Sequence, residues 1–311
     1  MALAQTAAGY RSPAVLAFET AYQAHRRQSR RIFALSTVLF GMAFVITASI
    51  SGFFDLTEVS LPTGERVERW KLLAGLPRLG EYLEKTLPSL AWETLGADLA
   101  NWFWRWRVWL DLLIETVLIA FLATMFGVIG GFLLSFPASR NLAPNRAVLW
   151  VSRRYLEIAR TVPELVWALI FVFCLGVGPM AGVCAIGLHA TGALGKLYSE
   201  VNENIDMRPL DGVKASGGSW FQMIRFGVVP QVIPNIISYT LLRFEINVRS
   251  SSIIGYVGAG GLGQEIRTAV SLQEYTDLSA LFLIILATVI AIDYGSERLR
   301  HRIIGLTGEP A

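Results

Sequence analysis

The chain has 311 residues, of which 53% are hydrophobic and only 16% charged, and its mean hydropathy is +0.49. Soluble domains carry about 25% charged residues, so this composition excludes an ordinary water-soluble domain. The formal net charge of +3 is too small to indicate nucleic-acid binding, so the positions of the charges matter more than their sum.

Six apolar runs follow one another, each close to the length of about 20 residues that a helix needs to cross a bilayer. The first, 32–54, is uncharged, and the second, 108–136, is interrupted only by Asp111 and Glu115. The other four are 162–178, 179–197, 227–248 and 275–293. The sequence therefore predicts an all-α integral membrane protein with about six transmembrane helices.

Arginine and lysine residues in the short predicted loops indicate the orientation. They precede the first run, separate the second from the third and the fourth from the fifth, and follow the last. Because basic residues in short loops mark the cytoplasmic side, both termini are predicted to be cytoplasmic. The predicted segments are a basic cytoplasmic segment 1–31, a transmembrane anchor 32–54, an extracytoplasmic segment with interfacial helices 55–107, a core 108–297 with a cytoplasmic loop 199–226, and a cytoplasmic tail 298–311.

Tryptophan residues cluster just before the second apolar run: Trp92, Trp102, Trp104, Trp106 and Trp109. Amphipathic indole rings at this place are typical of the membrane interface, which we favour over an aromatic ligand cage. The apolar spacing of 70–87 predicts a helix lying on the outer surface.

A polar, glycine-containing segment separates the fourth and fifth runs. Pro209 is suited to the first turn of a helix, and the pair Gly217-Gly218 is expected to divide the segment into two short helices. An apolar stripe recurs at helical spacing: Val213, Gly217, Trp220 and Ile224. Such an amphipathic segment either lies on the membrane or inserts into a groove of a partner, and the spacing alone does not choose between them.

The same segment resembles the cytoplasmic loop of binding-protein-dependent ABC importer permeases. That pattern runs Glu-Ala-Ala, three residues, Gly, nine residues, Ile, one residue, Leu-Pro. Here Asp211 stands at the acid, Gly217 at the glycine and Pro230 at the proline. The departures are Gly212 and Val213 for the alanines, Gly227 for the isoleucine and Val229 for the leucine.

Further segments resemble the phosphonate branch of these permeases, over about residues 110–300: 160–172, 176–182, 192–198, 244–249 and 255–263. The resemblance implies the type I ABC importer fold and a permease subunit for phosphonate or a related phosphorus oxyanion such as phosphite or a phosphate ester. It also implies an inner-membrane location, a second permease subunit, an extracytoplasmic binding protein and two ABC ATPase subunits that hold ATP and Mg. The chain itself is then not an enzyme and holds no cofactor or metal.

Two sets of candidate residues follow. Those expected to couple to the ATPase are Asp211, Val213, Lys214, Gly217, Trp220, Phe221, Ile224 and Pro230. Those expected in the translocation path or gate are Glu164, His189, Arg243, Glu245, Arg249, Ser250, Ser251, Ser252, Gly258, Gly260 and Gly261. Ionisable residues inside spans are costly and are therefore functional candidates.

Each candidate in the path has a plainer interpretation. Glu164 at a span end is expected to reach toward the interface, and His189 is expected to hydrogen-bond to a neighbouring helix. The run from Arg249 into the glycine-rich turn could form an anion-binding nest of amides and hydroxyls. We favour instead a tightly folded outer gate that needs no ligand contact.

Other functions remain as alternatives. The run 258–263 satisfies the dinucleotide pattern G-x-G-x-x-G, but a site between two membrane spans has no room for the strand–turn–helix unit that the pattern requires. A permease of the same architecture could carry methionine or another amino acid. An ion-coupled secondary transporter is expected to show internal repeats and a carboxylate at a span centre, for which Glu245 is the one candidate.

Overall fold

The computed structural model describes residues 13–53, 55–60 and 66–307. The chain separates into two compact units, Met1–Leu83 and Glu84–Ala311. Parts of four predicted segments lie outside the described residues: 1–12 of the basic segment, residue 54 of the anchor, 61–65 of the extracytoplasmic segment and 308–311 of the tail.

The first unit contains one long helix and a β-hairpin. Helix α1, Pro13–Ile50, joins the predicted basic segment and the predicted anchor without a break at 31. Strands β1 (Leu56–Ser60) and β2 (Arg66–Trp70) pair antiparallel with Leu56 opposite Trp70. The sequence analysis predicted only helices in 55–107 and did not predict this hairpin. Helix α2, Lys71–Thr86, confirms the predicted helix that follows.

The second unit is helical. Its elements are α3 (Leu95–Trp102), α4 (Trp106–Ala138), α5 (Arg146–Thr161), α6 (Glu164–Leu175), α7 (Pro179–Glu203), α8 (Arg208–Ala215), α9 (Trp220–Gln222), a π-helical turn (Met223–Val228), α10 (Val229–Ile254), a 3-10 turn (Gly255–Val257), α11 (Leu262–Leu272) and α12 (Tyr275–Thr307). The predicted boundary at 297 falls inside α12, which continues without interruption.

Helices α4 and α7 form the centre of this unit because small residues line both. A β-carbon added to Gly127 would lie 2.5 Å from Ala190 Cβ, and one added to Gly131 would lie 2.9 Å from the Gly195 amide nitrogen. Small residues allow such close approach of helix backbones.

Length and composition identify fewer membrane spans than the predicted six. Within the described residues, four helices are long and apolar enough to cross a bilayer, namely His25–Ile50, Trp106–Ala138, Pro179–Glu203 and Tyr275–Arg302. The pair α5 and α6 is bent by 90°, and α6 alone, with 12 residues, is about 18 Å long, too short for a hydrocarbon core of about 30 Å.

Helix α10 is the remaining predicted span. It has 26 residues, about 39 Å of helix, which is long enough to cross the bilayer. Its sequence is less apolar than the other spans because it carries Arg243, Glu245 and Arg249. A count of six requires that the bent pair α5–α6 is one span and that α10 is another, so it stays a prediction.

The tryptophan cluster is only partly interfacial. Trp109 is completely buried, and Trp102 Nε1 donates to Ser279 Oγ at 3.0 Å, so these rings hold α3 and α4 against α12. Trp92 and Trp106 are exposed, as expected of interfacial side chains.

Candidate functional site

The segment between α7 and α10 folds as two short helices, as its proline and glycines predict. Pro209 lies in the first turn of α8, where a missing amide hydrogen costs nothing. Gly217 ends α8 with φ +81°, a conformation that favours glycine. Ser219 and Gln222 then form a reciprocal capping box at the start of α9.

The apolar stripe of this segment faces the chain itself. Ile224 is buried together with Leu210 and Val228, and Trp220 Nε1 donates to the Leu142 carbonyl at 2.8 Å. Val213 is half-buried, and its Cγ1 would lie 2.5 Å from a β-carbon on Gly218. Val213, Trp220 and Ile224 therefore anchor the segment to the chain itself, whereas Gly217 of the same stripe is exposed. Docking of the segment on a partner stays a prediction.

The opposite side of the segment is exposed. Phe221 is 77% exposed and Phe226 61%, and Phe226 borders a depression of about 500 Å³ beside α8. We call this side the coupling surface. Its residues are Pro209, Asp211, Gly212, Lys214, Gly217, Phe221 and Phe226. Pro230, also exposed, follows at the start of α10.

A polar contact joins α5 to the end of α7, just before this segment, and the sequence reasoning missed it. Glu203 accepts a 2.8 Å hydrogen bond from the Arg140 amide and pairs with Arg153, whose Nε donates to the Ala138 carbonyl at 2.9 Å. These arginines were interpreted only as markers of orientation. No spacing rule links Glu203 to Arg153, which lies 50 residues earlier on another helix.

The glycine-rich turn after α10 is closed by side chains of α4. The Gly261 amide donates to Glu115 Oε1 at 3.2 Å and the Leu262 amide to Thr116 Oγ1 at 2.8 Å. Gly258 and Gly260 both have positive φ, at +98° and +88°. The amides of the predicted anion nest therefore already bind a carboxylate and a hydroxyl of the chain, which supports the tightly folded gate.

The polar residues before the turn do not converge on it. Ser251 Oγ donates to the Thr116 carbonyl at 3.1 Å and Ser252 Oγ to the Val248 carbonyl at 3.3 Å. Arg249 is exposed and pairs with Glu245 at 2.5 Å, one helical turn earlier, while Ser250 is half-buried. The residues 253–257 are helical and not a strand, so the dinucleotide interpretation is wrong.

Three ionisable side chains from three helices meet in what we call the α6–α7–α10 cluster, Glu164, His189 and Arg243. Glu164 Oε1 lies 2.7 Å from Arg243 Nη2 and 3.7 Å from His189 Nε2. His189 Nδ1 contacts the Val162 carbonyl at 3.2 Å, as predicted for this histidine. The expectation that Glu164 reaches toward the interface is wrong, because an arginine inside the bundle holds its carboxylate.

A buried polar pair lies one turn further along α10. Asn247 Nδ2 donates to Thr124 Oγ1 of α4 at 2.9 Å, and both side chains are fully enclosed. Asn247 Oδ1 and Arg243 Nε have no hydrogen-bond partner among the described residues. Arg243 and Glu245 do not pair with each other, as their spacing predicts.

Residues 127–302 match the family described as binding-protein-dependent transport system inner membrane component. The chain belongs to this family. The permease is thus an inner membrane component of a transport system, and its apolar helices fit that location.

Two phosphite-system relatives are similar over about three quarters of the permease, and a phosphonate-system relative over a shorter part. It is 37% identical over 243 residues to the putative phosphite transport system permease protein HtxC of Stutzerimonas stutzeri, covering 77% of this chain and 80% of the relative. It is 35% identical over 229 residues to the phosphite transport system permease protein PtxC of the same organism, covering 74% and 79%. A putative cryptic phosphonate transport system permease protein, PhnE2 of Escherichia coli K12, is 43% identical over 120 residues, covering 39% of this chain and 98% of the relative.

Solved structures of two ABC transporters share the fold. An inward-facing conformation of the MetNI methionine ABC transporter aligns with a TM-score of 0.55 at 17% identity, covering 63% of the permease and 95% of that chain. A bacterial ABC transporter that imports the acidic polysaccharide alginate aligns with a TM-score of 0.54 at 13% identity, covering 88% and 99%. At these identities the likeness concerns the fold alone.

Proposed function

We propose that the permease is the membrane-spanning subunit of an ATP-driven importer for a phosphorus oxyanion such as phosphite, phosphonate or a phosphate ester. The observations that carry this proposal are the 37% identity, over 243 residues, to a putative phosphite transport system permease protein and the 35% identity, over 229 residues, to a phosphite transport system permease protein. The permease contributes the pathway and its gating, and the cargo passes through chemically unchanged.

The energy source is ATP hydrolysed by a separate pair of subunits that hold ATP and Mg and dock on the coupling surface. Exposed Phe221 supplies an aromatic anchor, and α8 adds the exposed charges of Asp211 and Lys214; aromatic anchors with a polar rim are typical of docking surfaces. Since Trp220 and Ile224 fix the same segment to the core formed by α4, α7 and α10, a displacement of the coupling surface is transmitted to these helices.

The complete assembly contains more than this chain. A second permease subunit, identical or related, completes the pathway, and an extracytoplasmic binding protein delivers the cargo. Both termini lie in the cytoplasm, on the same side as the coupling surface. This arrangement requires an even number of crossings, with the bent pair α5–α6 and α10 each counted as one.

The substrate class is tested by competition in cells whose own copy of the gene is deleted and complemented with this chain. Uptake of labelled phosphite is measured with a large excess of unlabelled phosphite, methylphosphonate, phosphate or methionine. We expect at least one phosphorus oxyanion to compete and methionine not to compete. Uptake of labelled methionine without uptake of labelled phosphite would assign the permease to amino acid transport.

The energy source is tested in the same cells. Depletion of ATP is expected to abolish uptake, whereas a protonophore added while ATP is maintained is expected to leave it unchanged. The reverse pattern would identify an ion-coupled transporter and refute the proposed coupling to an ATPase.

A further inference from the structure

The α6–α7–α10 cluster lies near the middle of α10, far from either end of the helix. Arg243 is the fifteenth residue of the 26 in α10, about 21 Å along the helix from its first residue. A guanidinium at such a depth is costly unless it is paired or faces a polar cavity, so its presence indicates a function.

The pairing of Arg243 is incomplete. A guanidinium carries five N–H donors in a planar fork. Here Glu164 binds through one oxygen to Nη2, and Arg243 Nε is enclosed without a hydrogen-bond partner among the described residues. A carboxylate placed to neutralise an arginine permanently usually engages the fork with both oxygens. The observed contact leaves donors of the fork unused.

The cluster is also reachable from outside the chain. The side chains of Arg243, Glu164 and His189 remain 11%, 16% and 18% exposed. A charged group facing lipid at this depth is strongly disfavoured, so the exposed edge must meet water or a polar partner. A water-filled pathway alongside α10 satisfies this requirement.

We propose that Arg243 binds the transported phosphorus oxyanion in transit and that Glu164 occupies the guanidinium when no cargo is present. This inference rests on the proposed function and identifies a site for its cargo. Phosphorus oxyanions present two acceptor oxygens that match the planar fork of arginine. A lysine ammonium lacks this fork and cannot bind both oxygens in the same way. Competition with the resident carboxylate keeps the binding weak, so that the cargo can leave.

A purely structural ion pair would tolerate an exchange of its two charges, whereas an arginine that binds the cargo would not. In the double variant Glu164→Arg/Arg243→Glu, the attraction between the two side chains is retained, but the guanidinium moves from α10 to α6. A matched control is the exchange Arg154→Glu/Glu157→Arg, which reverses an exposed 2.6 Å pair within α5. A second variant, Arg243→Lys, retains the charge and removes the fork.

The readouts are phosphite uptake in the complemented cells and the amount of assembled complex in the membrane. For Arg243→Lys we expect normal assembly and an apparent KM raised by roughly tenfold to a hundredfold, the effect of losing a hydrogen bond between charged groups. We expect the Glu164/Arg243 exchange to assemble but to transport at a small fraction of the wild-type rate, whereas the control exchange retains wild-type uptake.

Wild-type uptake by the Glu164/Arg243 exchange, or an unchanged KM in Arg243→Lys, would overturn the inference and leave a structural ion pair. If the exchange fails to assemble, Arg243→Lys alone decides by its KM. A wild-type permease that takes up no phosphorus oxyanion would refute the proposed function itself. That outcome is seen before any variant is measured, so the two failures are distinguishable.

Discussion

Glycine has different roles in the two glycine-containing segments of the permease. In the turn 255–263, a β-carbon on Gly255 would collide with the Gly260 carbonyl oxygen, and one on Gly263 with the Ser252 carbonyl oxygen. On the coupling surface, a β-carbon on Gly212 or Gly217 would meet nothing within 4 Å.

Glycine is therefore needed for two different reasons: close approach of backbone segments in the turn, and a backbone conformation at Gly217. In the turn, glycine is needed because backbone segments touch, which suits a gate that must seal. At Gly217, glycine is needed for φ +81°, while the space around it stays open for a partner. The same residue type therefore marks a closely packed turn after α10 and an open position between α8 and α9.

The largest expected effect is at the turn. Gly263→Ala should destabilise the permease by about 3 kcal/mol or more, because the added methyl group overlaps backbone atoms that cannot move aside. Thermal unfolding of the detergent-purified protein measures this loss. The control is Gly212→Ala in α8, and equal stability of the two variants would show that the turn is not closely packed.

Glu115 is expected to have the next largest effect. Glu115→Leu leaves the Gly261 amide without its acceptor and should lower the free energy of unfolding by about 1–3 kcal/mol. Glu115→Gln is the matched control, since its side-chain oxygen can still accept the same hydrogen bond. If Leu and Gln have the same stability, the carboxylate does not hold the turn.

Smaller effects of opposite sign are expected on the coupling surface. Gly217→Ala should cost about 1–2 kcal/mol because alanine is strained at positive φ. Gly212→Ala should instead stabilise by about 0.5–1 kcal/mol, since it lies inside α8 in open space. The same unfolding measurement checks both, and a stabilising Gly217→Ala would contradict the conformation assigned to that residue.

The parts of the molecule that were predictable depend on local signals. Pro209 and Gly217 divide the segment between α7 and α10 by backbone properties that need no tertiary contact. The spacing of Trp220 and Ile224 defines an apolar stripe. The direction in which that stripe faces was not predictable, because it depends on Leu142, distant in sequence. Hydropathy found most of the spans but could not fix their number.

The polar contacts were least predictable. Glu164 and Arg243 are 79 residues apart and belong to different helices, so no spacing rule links them. Glu115 was treated as an interruption of an apolar run, although it binds the glycine-rich turn 146 residues away. Long-range pairs of this kind require the fold before they can be recognised.

Cysteine cross-linking tests most directly whether the coupling surface docks the ATPase. In a background where Cys174 and Cys184 are replaced, Phe221→Cys and Ile224→Cys are each combined with an ATPase subunit that carries surface cysteines, and a short bifunctional reagent is added. We predict a permease–ATPase product for exposed Phe221→Cys and none for buried Ile224→Cys. No product at position 221, under conditions where the assembled complex transports phosphite, would contradict the account.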